Sequence, residues 1–348
     1  MNTPVFRRDF LKRSLSAIGI TSLFGYSFSA WADDGGLAGK EESGKPDSVV
    51  FNTFSVDPNN IRFYSSMVTT PLKVMIITDT HLFRDDDRGA AYTEYSGRMA
   101  KAYNQTSHFQ TRQPTNPEES LVATLKIAKE KKVDAILLLG DMVSFPSEAG
   151  IDWLTSQLNG CEIPWHYVSG NHDWHYEGMP GTEIMLRAEW TEKRLKPLYQ
   201  GRNPMMSTVD LGGIQAVMID DSVYEILPEQ LDFWRQQVQN GRPTILCMHI
   251  PLYAPGRGVG YGCGHPDWNA TTDHNYEIER RPRWPENGHT KVTFDFYREV
   301  FSTPNLLGVF AGHIHEASVD VVHNIPQFVI PTNCNGNYAV AEFNPVRK

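Results

Sequence analysis

Ala135-Ile136-Leu137-Leu138-Leu139-Gly140-Asp141-Met142-Val143 is the stretch that decides the fold. Its first five residues are apolar without polar alternation, which reads as a strand buried on both faces. Such strands are joined by crossover helices rather than tight turns. The run stops at Gly140-Asp141, so a carboxylate stands at the strand's carboxyl end. Open α/β sheets place their ligands at that edge.

Reading outward, the same alternation repeats. Upstream, a helical pattern from about Glu118 to Lys132 puts Leu121, Leu125, Ile127 and Ala128 on one face. Before it, Val74-Met75-Ile76-Ile77 ends at Thr78-Asp79-Thr80-His81. Downstream, a helix from about Glu148 to Leu158 leads to Trp165-His166-Tyr167-Val168, which ends at Gly170-Asn171-His172-Asp173. A helix from Pro228 to Gln239 leads to Thr244-Ile245-Leu246-Cys247-Met248 and then His249. The last helix, near Val292 to Phe301, precedes Leu306 to Phe310 and Gly312-His313-Ile314-His315. From Ala317 to Phe343 short alternating segments read as antiparallel strands closing the sheets. The expected fold is α/β: a four-layer α/β/β/α sandwich with mixed sheets over residues 71–348, entered by an extension over 33–70. Two long polar, aromatic and Gly/Pro-rich inserts, 84–117 and 252–290, follow strand ends and should overhang the same edge.

Every one of these strands ends in residues that bind metals. Asp79, His81, Asp141, Asn171, His249, His313 and His315 supply carboxylates, an amide oxygen and imidazoles, with no thiolate. That donor set suits Mn, Fe or Zn better than Ca, and it is not a structural zinc–cysteine site. It exceeds what a single four-coordinate ion needs, so a two-ion centre with Asp141 shared is the economical reading. Gly140, Gly170 and Gly312 would let the backbone turn tightly there. Taken singly, Asp-x-His and Gly-Asp arise often by chance, and a lone histidine on an apolar strand is usually a core residue. The conjunction of the motifs, each at a strand end, is what carries the reading.

These motifs, with DTH, GDMV, GNHD, MHIP and GHIH in that order, resemble the calcineurin-like metallophosphoesterases from Val74 to His315. Their wording looks most like the branch of class III cyclic-nucleotide phosphodiesterases and glycerophosphodiesterases. It is less like purple acid phosphatases, which carry Gly where this chain has His81. The resemblance implies one ion on Asp79, His81, Asp141 and His315, and a second on Asp141, Asn171, His249 and His313. His172 would be the catalytic histidine that binds no ion, oriented or tuned by Asp173. Two such ions lower the pKa of a shared water, so that hydroxide is available as nucleophile near neutral pH. A histidine beside them is suited to protonating a leaving oxygen. The alternative for Asp173 is an exposed loop acid.

The N-terminus is a targeting signal rather than part of the fold. Arg7-Arg8-Asp9-Phe10-Leu11-Lys12 precedes the uncharged stretch Ser14 to Ala30 and then Ala30-Trp31-Ala32, a small-x-small cleavage pattern. The arginine pair with Phe-Leu-Lys resembles a twin-arginine (Tat) export signal over residues 1–32, an ordinary Sec signal being the alternative. Mature protein then begins at Asp33, in the periplasm or outside the cell, with the Tat machinery as a transient partner. The stretch is too short and too weakly apolar for a stable membrane anchor. Its removal takes Arg7, Arg8, Lys12 and Arg13 against one acid, making the formal charge of −9 more negative still. Gripping a nucleic-acid backbone is therefore not expected. Small-molecule or lipid-head-group phosphoesters fit better.

Cys161, Cys247, Cys263 and Cys334 show no C-x-x-C spacing. They form up to two disulfides in an oxidising compartment or remain four buried thiols. In the second insert Tyr253, Tyr261, Trp268, Tyr276 and Trp284 mix with Arg257, Arg280, Arg281 and Arg283. Either they grip a base, a sugar or a further phosphate, or they staple the loop to its neighbour. His265, His274 and His289 are assigned no role, and Asp85-Asp86-Asp87 reads as a solvated acidic turn. Three functions remain: a phosphodiesterase, a broad phosphomonoesterase on the same scaffold, or a binding module that has lost its chemistry. Missing ligands would mark the third, and none is missing.

Overall fold

The computed structural model describes residues 50–99, 103–273 and 287–346. The Tat-type segment, together with His274, Tyr276, Arg280, Arg281, Arg283 and Trp284, lies outside the described residues. Among those described, two six-stranded sheets form the centre. The first contains β1 (Asn52–Asp57), β2 (Asn60–Ser65), β3 (Leu72–Ile77), β6 (Ala135–Leu139), β7 (Trp165–Val168) and β14 (Ala339–Pro345), in the order β1-β2-β14-β3-β6-β7. The second contains β8 (Met206–Leu211), β9 (Ile214–Ile219), β10 (Thr244–Cys247), β11 (Leu306–Ala311), β12 (Ser318–Val322) and β13 (Ile325–Val329), in the order β12-β13-β11-β10-β9-β8. A small hairpin, β4 (Thr106–Ser107) with β5 (Pro114–Thr115), lies in the first insert.

The alternation of side chains explains the layering. On β3 and β6, Val74, Ile76, Leu137 and Leu139 share one apolar cluster with Ala216, Met218, Ile245, Cys247 and Phe310 of the second sheet. Their neighbours Met75, Ile77, Ile136 and Leu138 face the other way. There they meet Leu121 and Leu125 of α2 (Pro117–Lys131) and Leu154 and Leu158 of α3 (Glu148–Cys161). On the second sheet Val217, Leu246 and Val309 face Leu231 and Trp234 of α6 (Pro228–Val238) and Phe296 and Val300 of α7 (Lys291–Val300). The layers are thus helix, sheet, sheet, helix, as the sequence reading expected. Between the sheets Phe63 stacks on Phe343 at 4.8 Å and meets Phe328 edge-on at 5.5 Å.

Helix ends follow local chemistry. Asn116 caps α2 by accepting from the Glu119 amide at 3.0 Å, with Pro117 at the first turn. Ser147 caps α3 in the same way. Three further α-helices are short: α1 (Thr93–Met99), α4 (Glu183–Trp190) and α5 (Lys196–Tyr199).

Some features depart from the reading or add to it. The stretch 33–70 contains β1 and β2, and β2 pairs with β14 in the first sheet. The C-terminal strands are only partly antiparallel: β13 runs parallel to β11, and β14 runs parallel to β2 while antiparallel to β3. The β8–β9 hairpin was not foreseen, although Gly212-Gly213 between two alternating runs is a hairpin signal. The four cysteines are unpaired, buried thiols.

Candidate metal centre

The motifs converge where both sheets present their carboxyl ends. β3 and β6 continue past their ends side by side: the Asp79 amide donates to Gly140 O at 3.0 Å and the His81 amide to Asp141 O at 2.9 Å. The second sheet docks on this edge through the His313 amide, which donates to Asp79 Oδ2 at 2.9 Å. Asp141 Oδ1 accepts the His172 amide at 2.8 Å.

The backbone is strained at these positions. Asp79, His81, Asp141, His313 and His315 have φ of 53°, 54°, 52°, 71° and 60°. Each such left-handed residue costs about 1–3 kcal/mol unless its surroundings hold it. Strain of that kind concentrates at functional sites. Three glycines make room for it, and a Cβ on Gly170 would meet Asp141 Oδ1 at 2.2 Å. A Cβ on Gly140, itself at φ 83°, would sit 2.5 Å from the Gly170 amide nitrogen. One on Gly312 would meet Thr78 Oγ1 at 2.0 Å and Asp79 Oδ2 at 2.5 Å.

Two groups of donors result, each with its ligand atoms within 4.8 Å of one another: Asp79, His81 and His315, and Asp141, His249 and His313. In the first, His81 Nε2 faces His315 Nε2 at 2.9 Å, with Asp79 Oδ1 3.3 Å from the latter. In the second, Asp141 Oδ2 lies 3.1 Å from His249 Nε2, and Asn171 Oδ1 lies 3.1 Å from His313 Nδ1. Asp141 Oδ2 is also 3.9 Å from His81 Nε2, so this one oxygen stands between the groups. Asp79 Oδ1 and His249 Nε2 are both buried, each facing another donor atom of its group.

The electrostatics call for cations. Burial opposes ionisation of Asp79, yet the hydrogen bond and charge of His315 hold its carboxyl at about 2. Asp141, also opposed by burial, is held well below its ordinary value by His249 and His172. Burial likewise disfavours a charged His249, but Asp141 pushes that imidazole up to about 10. Protonated imidazoles here stand in for the positive charge that the carboxylates require. Converging imidazole nitrogens, an amide oxygen and buried carboxylates all fit a pair of transition-metal ions.

Every residue picked from the sequence is at this edge, but Asp173 is not arranged as expected. It is fully buried rather than an exposed loop acid, and its carboxylate accepts from three backbone amides. Oδ2 accepts from the Asp141 and Gly170 amides, both at 2.8 Å, and Oδ1 from the Val143 amide at 3.0 Å. It therefore fixes the turn that carries Asp141. Burial, then the charge of Asp141, raises its pKa to about 7. The His172 ring stands edge-on to His81 at 5.1 Å.

Sequence reasoning missed three supports. Tyr103, from the first insert, stacks on His81 at 4.1 Å, so that insert does reach over the site. Only its position in an insert pointed that way. Asp221 and Tyr224, following β9, contact the second donor group and belong to no motif. In the second insert the described aromatics staple the loop: Trp268 is buried against Tyr224, and Arg257 is tied to Asp320 at 2.7 Å. The acidic turn stays at the surface, with Asp86 engaging Arg88.

With this geometry in view, the relationships of the chain can be stated. Residues 72–317 match the calcineurin-like phosphoesterase family. The chain belongs to that family. It is 37% identical over 218 residues to a protein of Moraxella catarrhalis (strain BBH18) named probable cyclic nucleotide phosphodiesterase, covering 60% of this chain and 67% of that one. Its fold is similar to that of a dimetal phosphatase from Danio rerio, with a TM-score of 0.50 at 11% identity over 78% of this chain and 93% of that one. A purple acid phosphatase from yellow lupin gives a TM-score of 0.46 at 13% identity, over 80% of this chain and 47% of that one. As a calcineurin-like phosphoesterase, the protein is a metal-dependent hydrolase of phosphoric esters.

Proposed function

We propose that this calcineurin-like phosphoesterase hydrolyses phosphodiesters of small molecules or lipid head groups outside the cytoplasm, using two transition-metal ions. The observation that carries the diester reading is the 37% identity to the protein named probable cyclic nucleotide phosphodiesterase. The charge of the site supports it, since the described residues that build the centre include no lysine or arginine. A diester carries one negative charge where a monoester carries up to two, and needs less compensation.

Asp79, His81, Asp141 and His315 would hold one ion, and Asp141, Asn171, His249 and His313 the other. When bound, such ions activate water near neutral pH and neutralise phosphoryl charge. The protein's own contribution is positional. Asp141 Oδ1 takes the His172 backbone amide at 2.8 Å, which fixes the main chain there, and the imidazole stands edge-on to His81 at 5.1 Å. From there His172 gives a proton to the departing alkoxide. Asp173, through three backbone amides, keeps Asp141 in its left-handed turn. Mn, Fe and Zn all suit the donors.

Hydrolysis of bis(p-nitrophenyl) phosphate and p-nitrophenyl phosphate, side by side, tests the reading. Stripped protein is reloaded with Mn, Fe or Zn in turn. Metal-dependent turnover that favours the diester supports it, and preference for the monoester replaces it with a phosphatase. Export is proposed from the Tat-type motif in residues 1–32. A reporter fused to residues 1–40 should stay inside cells that lack a Tat translocase, and normal export there would refute that route.

A further inference from the structure

The second donor group is steadied by a segment that no motif marks. β9 ends at Ile219, and the turn after it runs from Asp220 to Tyr224. Asp221 is fully buried, and its Oδ1 accepts the His249 and Ile250 amides, both at 3.1 Å. Ser222 Oγ accepts the Trp174 indole N–H at 2.8 Å, tying the turn to the loop that carries His172 and Asp173. The Tyr224 ring meets the His313 ring edge-on at 5.5 Å. Behind Tyr224, Trp268 stacks at 5.1 Å, and His289 stacks on Trp268 at 4.6 Å. One short turn thus holds the backbone that carries His249 and one side of the His313 ring, although the two come from different strands.

A different turn serves the first group. Thr332 Oγ1 donates to Asp79 O at 2.6 Å, the Cys334 amide donates to the same oxygen at 3.2 Å, and the Thr332 amide to His315 O at 3.4 Å. Each donor group thus has a turn of its own, beside the contacts that join the two sides, the His313 amide on Asp79 Oδ2 at 2.9 Å and His249 Nδ1 against Leu139 O at 2.7 Å.

We propose that Asp221 and Tyr224 are positioning residues that set the affinity of the second ion independently of the first. The inference rests on the binuclear reading above. Partners of metal ligands typically contribute about 10–100-fold in affinity, because they hold donors in place without touching the ion. Asp221 fixes the backbone from which His249 projects, and Tyr224 limits rotation of the His313 ring.

The test is a titration of metal-stripped full-length mature protein with Zn(II) against a chromophoric chelator, with thermal midpoints recorded alongside. Wild type should show two binding steps. Asp221→Ala and Tyr224→Leu should each weaken one step by about 10–100-fold and leave the other within about threefold. Asp221→Asn should be near wild type, since its amide oxygen still accepts both backbone donors. Tyr224→Phe should be near wild type because it keeps the ring. Should Asp221→Ala fail to fold, the Tyr224→Leu and Tyr224→Phe pair decides the same point. Two wild-type steps that fall together in the variants, or do not move, overturn this inference alone. A single step in wild type overturns the binuclear reading and this inference with it.

Discussion

The two sheets contribute to the centre in different ways. The first sheet delivers Asp79, His81, Asp141, Asn171 and His172 from three adjacent strands, β3, β6 and β7, through turns locked by neighbouring backbone amides. The second delivers His249, His313 and His315 from β10 and β11, and leans on side chains from elsewhere to aim them. Strand ends pair in both halves, the Gly312 amide donating to His249 O at 2.8 Å in the second, but different elements support them: Asp173 and the Thr332 turn in the first, the turn after β9 in the second. Asp141 lies at the seam and offers one oxygen to both sides.

Substitutions can break or sharpen this contrast, and removing the seam should do most. Asp141→Ala is expected to abolish ion retention on both sides and bring turnover to background, read by metal analysis and diester hydrolysis together. His172→Ala belongs to the first half but to neither donor group. It should keep both ions and lower kcat by about 10²–10⁴-fold. Loss of an ion from that variant would erase the distinction between holder and catalyst.

Asp173→Ala tests how self-contained the first half is. It leaves three buried amides without acceptors, at about 1–3 kcal/mol each, and should lower the thermal midpoint strongly. An unchanged midpoint would mean that the turn holds itself. Gly312→Ala tests the dock between halves. Its Cβ would fall 2.0 Å from Thr78 Oγ1, an overpacking expected to cost about 1–3 kcal/mol. Gly160→Ala on α3 meets nothing within 4 Å and should stabilise by about 0.5–1 kcal/mol, which makes it the control.

A pH-dependent effect lies on β7, outside both donor groups. His166 on β7 is buried, and burial, with the charge of Arg202, lowers its pKa from 6.5 to about 4. The folded state therefore keeps this imidazole neutral where the unfolded chain protonates it. Its contribution to stability is complete above pH 6.5 and is lost as pH falls through about 4. His166→Gln should flatten the stability profile in that window, seen in urea midpoints. An unaltered profile would assign the acid sensitivity to other groups.

How much was legible follows the same division. Strands such as Ala135 to Leu139 announce themselves because burial on both faces removes all alternation. Their ends announce the ligands because chemistry fixes the residue types there. The family resemblance implies that Asp173 orients or tunes His172, whereas its carboxylate turns back to the amides of another strand's end, a contact that no motif encodes. Asp221 and Tyr224 were invisible because a lone buried acid and a lone aromatic become supports only once distant strands are brought beside them. Tyr103 was hidden similarly, inside an insert whose composition says only that it is irregular.

The central claim is that both halves are needed for one reaction. Metal-stripped wild-type protein, reloaded with Mn(II) in sub-stoichiometric steps, can be assayed on bis(p-nitrophenyl) phosphate while bound metal is counted. Activity should stay near background through the first equivalent and rise with the second. Full activity at a single equivalent would contradict a shared centre and leave one half of the site without a part in the chemistry.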